Sequence, residues 1–284
     1  TPLWVQAQRA GLRVAVQAYP GSDAPIGGEL VALRQSFDPS SSLDQRAQTL
    51  LGWLALPQRP HLVLGYFEQV DQAGHYYGPN SPQYAQAVRS VDAAVGQVVE
   101  GLRQQGQLDR TNLIVVSDHG MAEVPDGQVV AVESMVAPHL ARAVSVGQSV
   151  GFEPLPGQEV AARQALIGAH SRYDCWDKQS LPAHWQYGTH ARVPAIICQM
   201  HEGSDANTAA ILAKRKPGTR GSHGYDTQLP SMRTVFIARG PAFRSATQIA
   251  PIDNVDVYPL VNHLLGVDVP ANDGNLEALK PALR

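Results

Sequence analysis

Four short, almost uninterrupted apolar runs constrain this chain more than any other feature of its sequence. They are Arg13–Tyr19 (RVAVQAY), His61–Phe67 (HLVLGYF), Thr111–Val116 (TNLIVV) and Thr234–Ala238 (TVFIA). Each is too short for a core helix and too continuously apolar for a strand with one wet face. Strands of this kind are covered on both sides, which calls for a mostly parallel sheet with helices packed on it. The first run stops at a Pro20-Gly21 turn. Between the second and third runs, Pro82–Gln104 carries apolar residues at Tyr84, Ala87, Val88, Val91, Val95, Val98, Val99 and Leu102. Steps of three and four make one helical stripe, and a stripe of that composition is a core face rather than a cofactor site. Val255–Leu265 predicts a last helix, with Pro270 and Asn272 in the tail beyond it. The expected fold class is therefore α/β, with a mostly parallel central sheet flanked by helices.

The stretch from about Glu123 to Arg220 breaks this rhythm. It is rich in Pro, Gly and Gln, its histidines lack ligand spacing, and it holds one expected strand, Ala195–Gln199. It reads as an inserted cap region, 123–220. The 284 residues, 44% hydrophobic and 17% charged, supply material for a large core. No segment approaches the ~18 to 20 apolar residues of a membrane helix. A net charge of −3 exerts no long-range pull on nucleic acid or anionic lipid. A phosphate-bearing substrate would need its charge met by something other than surplus Lys and Arg, which points to metal. Cys175 and Cys198 are too few for a disulfide framework. Two readings stay open: a bond in an oxidising compartment, or two buried thiols.

In open parallel sheets, ligands bind in the loops beyond the carboxyl ends of the strands. After HLVLGYF comes a loop with Asp71-x3-His75; after TNLIVV comes Ser117-Asp118-His119-Gly120-Met121; before TVFIA comes Gly221-Ser222-His223-Gly224. Asp and His together suit a divalent ion such as zinc. Five such groups exceed one open tetrahedral site and fit as shares of two, and a metal pair ~3.5 to 4 Å apart clamps the oxygens of a phosphoryl transfer. Each piece has a plainer reading. Asp71 and Gly74 in a loop make turns, and the glycines beside His223 serve unusual backbone angles. Two ionisable residues at a buried strand end are costlier to explain away, because they require pairing or metal.

These three segments, with Tyr76-Tyr77-Gly78-Pro79 following the first and Tyr225-Asp226 the third, resemble the metal-binding motifs of nucleotide pyrophosphatase/phosphodiesterases in the alkaline phosphatase superfamily. The similarity runs through the whole chain, including Pro20-Gly21-Ser22, Asn254–Tyr258 and Asn272-Asp273-Gly274, and looks closest to bacterial, periplasmic members. It implies an alkaline-phosphatase-like core with residues 1–284 forming one catalytic domain. It also implies two Zn2+, one held by Asp71, His75 and His223, the other by Asp118 and His119 with a further Asp and a Thr. In the family that Thr is the nucleophile, attacking phosphorus to leave a phosphorylated Thr that is then hydrolysed. Its motif, and an Asn that contacts a phosphate oxygen, belong upstream of the segment resembling Thr1-Pro2-Leu3-Trp4. Thr1, Thr49 and Thr111 stand in other contexts. The expectation is a catalytic domain without its N-terminal strand and nucleophile segment, with no catalytic residue among the 284.

Tyr66 matches an active-site Tyr of the family. Phe37 takes either the place of a base-stacking aromatic or that of a half-buried loop anchor; stacking would be worth ~1 to 3 kcal/mol per base. The implied function is hydrolysis of phosphodiester or pyrophosphate bonds of small nucleotides with release of nucleoside monophosphates. The location implied is periplasmic or secreted. Alternatives are a phosphomonoesterase, sulfatase or mutase of the superfamily, and a non-catalytic relative that binds metal or nucleotide.

Overall fold

The computed structural model describes residues 1–284. The chain opens with helix α1 (Leu3–Arg9), strands β1 (Val14–Gln17) and β2 (Leu33–Gln35), helix α2 (Leu43–Leu54) and strand β3 (Leu62–Gly65). Helices α3 (Gln69–Tyr77) and α4 (Pro82–Gln104) precede β4 (Leu113–Val116), β5 (Ala122–Val124) and β6 (Val129–Ala131). Then come α5 (Val132–Met135), β7 (Ala141–Ala143), β8 (Ser149–Pro154), α6 (Glu159–Leu166), β9 (Gly168–Ala169) and β10 (Tyr173–Asp177). The chain closes with β11 (Ile196–Met200), β12 (Asp205–Asn207), α7 (Ala209–Leu212), β13 (Arg220–Ser222), β14 (Phe236–Arg239) and α8 (Val257–Leu265). Two compact units result: residues 1–68, 88–118 and 235–284 form the first, and residues 69–87 and 119–234 the second.

In the first unit, β1 lies between β2 and β3 in a parallel sheet, with Ala15 beside Leu33 on one side and Val63 on the other. All four β1 residues are buried, which is why its run is apolar without alternation. β4 pairs with β14 antiparallel, Ile114 opposite Ala238. A continuous apolar run carries no information about strand direction, so this reversal was invisible in the sequence. β3 is paired on one side only, with β1, and β4 only with β14. Val116, Val235 and Ile237 are exposed along that second ladder.

Helix α1 packs with β1 and β3 around Trp4, Val5, Val14 and Leu62, and α2 packs with α4 around Ala47, Leu50, Val98 and Leu102. α2 begins at Ser42, whose hydroxyl accepts from the Gln45 N–H while the Gln45 side chain accepts from the Ser42 N–H. Of the stripe expected in α4, Val98 and Leu102 are buried and Val88 is exposed; Ala94, outside that stripe, is buried as well.

The second unit is built around an antiparallel sheet in the order β7-β8-β11-β10-β9. Val150, Phe152, Cys175, Ile196, Cys198 and Met200 form its core with Ala162 and Leu166 of α6. Cys175 and Cys198 stand directly opposite on β10 and β11 and are joined by a disulfide, which decides between the two readings open in the sequence. Residues 123–220 fall wholly within this unit. Of its strands only β11 was expected. The others are two to six residues long and interrupted by polar groups such as Glu153, Asp174 and Asp177, so no apolar run announced them. Beside this sheet, β6 pairs with β12 in parallel and β5 with β13 antiparallel.

Candidate metal centre

The segment after β3, expected as a loop, is the helix α3, and this sharpens the Asp71-x3-His75 motif. Residues four apart share one helical face, so both side chains point the same way. Gly74 gave the motif its turn-like look; its missing side chain serves another contact. A Cβ there would lie 2.7 Å from Met121 Cε, and a Cβ on Gly221 would collide with the Gly74 carbonyl. The two glycines let α3 lie directly on β13. Across that contact the Gly221 carbonyl accepts from His75 Nδ1 at 3.0 Å.

The β5–β13 ladder sets Ser222 opposite Ala122, which brings His223, one residue past the ladder, to His119, three residues before it. Their rings stack with centroids 3.4 Å apart and planes 11° from parallel. Gly120 is held close by its N–H, which donates to the Met232 carbonyl at 3.1 Å. A side chain at Gly120 would collide with the backbone of Ser231 and Arg233.

Three imidazoles from these segments converge on one oxygen of Asp71. Asp71 Oδ1 lies 3.4 Å from His75 Nε2, 3.5 Å from His223 Nε2 and 3.9 Å from His119 Nε2, and the Nε2 atoms of His75 and His223 are 3.1 Å apart. His75 Nδ1 faces the Gly221 carbonyl and His119 Nδ1 faces the Gly120 carbonyl at 2.9 Å. A carbonyl only accepts, so Nδ1 carries the hydrogen in each ring and Nε2 of the neutral ring carries the lone pair. Outer hydrogen bonds of this kind fix the tautomer of metal-ligating histidines. Asp71 Oδ1 is itself buried without a hydrogen bond. An oxygen left in that state costs about 1 to 3 kcal/mol unless something else satisfies it. Asp71, His119 and His223 present ligand atoms within 4.8 Å of one another, and a carboxylate with imidazoles is a donor set for a divalent transition metal. The residues present fit such an ion.

Tyr84, in the first turn of α4, has its hydroxyl pKa raised by burial and by the Asp71 charge, so it stays a proton donor at neutral pH. Asp118 ends the first unit, peptide-bonded to His119. Asn254 Nδ2 donates to its carbonyl at 3.1 Å and to that of Ser117 at 3.2 Å, which pins the Asp118 backbone. In the same unit, burial and the Asp118 charge push the Tyr19 hydroxyl pKa up.

Phe37 and Tyr66 also belong to the first unit. Phe37 is exposed, with the Arg46 guanidinium carbon 5.7 Å from its ring centroid, and Tyr66 packs edge-on to Tyr19 at 6.4 Å. Sequence reading missed Arg46, Glu68, Asn254 and Tyr84. Among the remaining histidines, His61 Nδ1 accepts from the Arg13 N–H, His170 meets the Leu166 carbonyl, His184 pairs with Asp226 and His201 with Asp174. None of these joins the centre.

Residues 1–226 match the model of the type I phosphodiesterase / nucleotide pyrophosphatase family. The chain belongs to this family. Ectonucleotide pyrophosphatase/phosphodiesterase family member 7 of Homo sapiens is 31% identical over 99% of the chain and 63% of its own length. A bis(5'-adenosyl)-triphosphatase of Xenopus laevis is 28% identical over 99% of the chain and 61% of its own length. The chain thus spans less than two thirds of these curated relatives. Murine ectonucleotide pyrophosphatase / phosphodiesterase 5, solved as an inactive threonine-to-alanine variant in complex with AMP, superposes with a TM-score of 0.93. It is 27% identical and covered over 75% of its chain by 100% of this one. The α/β, alkaline-phosphatase-like fold of that family member is the fold of this protein.

Proposed function

We propose that this phosphodiesterase-family chain carries the metal centre of a two-zinc hydrolase that cleaves phosphodiester or pyrophosphate bonds of nucleotides and releases nucleoside monophosphates. The observation that carries this reading is the convergence of three Nε2 atoms on the buried, unbonded Asp71 Oδ1. Asp71, His75 and His223 hold one zinc; Asp118 and His119 contribute to the other. His119 stands close enough to Asp71 for the two ligand sets to interleave. When bound, the ions supply the positive charge that a net −3 chain lacks, polarise the phosphoryl oxygens and ease ionisation of the attacking and leaving oxygens.

The chain's own residues prepare that chemistry. The Gly221 and Gly120 carbonyls hold His75 and His119 in the ligating tautomer, and Asn254 holds the Asp118 backbone. The Tyr84 hydroxyl keeps its proton near Asp71. Tyr66 and Phe37 contact the base or other leaving portion of the substrate. The nucleophilic role is assigned to no residue of this sequence. The threonine-to-alanine variant of the murine relative is inactive, which agrees with a Thr nucleophile in the family. The disulfide supports an oxidising compartment, periplasmic or secreted, as the location of the protein.

Calorimetric titration tests the reading. AMP is expected to bind the zinc-loaded protein and to leave on addition of EDTA. Zinc-dependent release of p-nitrophenolate is expected to be faster from bis(p-nitrophenyl) phosphate than from p-nitrophenyl phosphate wherever turnover is seen. AMP binding indifferent to zinc, or a faster monoester, would sink it.

A further inference from the structure

Arg46 sits on α2 with 1% of its surface exposed, and its partner Glu68, just after β3, is 7% exposed. The guanidinium grips Glu68 through both terminal nitrogens, Nη1 to Oε2 and Nη2 to Oε1. The same two nitrogens reach further: Nη1 donates to the Tyr66 carbonyl at 2.9 Å and Nη2 to the Asp38 carbonyl at 3.3 Å. Its carbon lies beneath the exposed ring of Phe37. One buried side chain thus holds the backbone at Tyr66 and beside Phe37, the two aromatic residues that the proposed function gives to the substrate.

A buried ion pair is a poor device for stability alone, since desolvation offsets most of the attraction and an apolar pair of equal volume often does as well. An apolar pair could not bond two carbonyls on separate segments, and a lysine could not offer the planar fork that does so while also meeting a carboxylate. We infer that Arg46 and Glu68 are positioning residues for nucleobase recognition: they fix the Phe37–Asp38 loop and the Tyr66 backbone so that the two rings hold a base, without touching the substrate. This rests on Phe37 and Tyr66 being the base-binding pair.

The test is the ratio of affinities of the full zinc-loaded protein for AMP and for ribose 5-phosphate, which lacks the base. Wild type is expected to favour AMP by at least tenfold, with Phe37→Ala setting the scale of the loss. Arg46→Lys and Glu68→Gln, checked for folding by circular dichroism, are expected to cut the ratio at least fivefold while zinc affinity stays at the wild-type value. A folded variant that keeps the ratio overturns the positioning role and leaves the proposed function standing. A wild type without preference for AMP removes the base-binding reading and this inference with it. Failure of both variants to fold also overturns it, because the pair would then be holding the fold rather than the pocket.

Discussion

Replacing Asp71 by Asn should move stability in opposite directions with and without metal. Without metal, the Asp71 Oδ1 is buried and unbonded among imidazole nitrogens 3.4 to 3.9 Å away. A buried polar atom in that state costs about 1 to 3 kcal/mol. Asn has the same shape, carries no charge and brings an N–H donor, so the metal-free variant is expected to equal wild type or exceed it by about 1 kcal/mol. With zinc at a hundred times its Kd, wild type gains about 2.7 kcal/mol. Supporting residues of metal sites are worth up to ~100-fold in affinity, and a direct ligand should cost at least that. The variant then sees zinc near its own Kd and gains only about 0.4 kcal/mol. At about 2 to 4 °C per kcal/mol for a large domain, the zinc-induced rise in Tm should shrink from about 5–10 °C to about 1–2 °C. Differential scanning calorimetry with zinc or with EDTA reads both numbers. An undiminished zinc increment would refute Asp71 as a ligand. A metal-free variant destabilised by more than about 2 kcal/mol would show that its oxygen is satisfied after all.

Three further outcomes are expected. Gly221→Ala drives a methyl into the Gly74 carbonyl; overpacking of this kind costs about 1 to 3 kcal/mol. It should lift α3 from β13 and weaken zinc binding at least tenfold by calorimetry, and unchanged affinity would contradict the packing argument. Replacing Cys175 and Cys198 by Ala opens a link between residues 23 apart in sequence and should cost about 3 kcal/mol by loop entropy, measured in urea melts; an unchanged midpoint would show the link to be thermodynamically idle. The Asp177 carboxyl, despite burial, is held below the ordinary 3.8 by Arg163 and the Gln179 N–H, and that of Asp226, also despite burial, by the Gln228 N–H, Trp185 and His184. A lowered folded-state value means that this stabilisation is present above about pH 4 and is lost as pH falls through the folded values. Asp177→Asn and Asp226→Asn should therefore flatten the fall in Tm between pH 5 and 3, on the order of that window, and an acid limb as steep as wild type would exclude both groups.

Local chemistry carried much of this protein in the open. The runs around Val14–Gln17, Leu62–Gly65, Leu113–Val116 and Phe236–Arg239 read as strands because they are short and almost uninterruptedly apolar, although only β1 is buried throughout. The α4 helix read from its stripe for the corresponding reason. The residue types of the proposed metal centre were legible too, because Asp and His beside strand ends have few inexpensive explanations. Direction and partnership were not. An apolar run does not state which neighbour it pairs with, so the antiparallel β4–β14 ladder came only from the structure. Apart from β11, the strands of the second unit's five-stranded sheet stayed hidden because they are short and polar-interrupted, and their burial exists only once they pair. The α3 helix was masked by Gly74, a residue whose purpose is contact with Met121 and Gly221, far away in sequence. Arg46 was unreadable for the deepest reason. A charge in an amphipathic helix normally points to water, and only the tertiary fold, by placing Glu68 and two carbonyls around it, made burial of that charge possible.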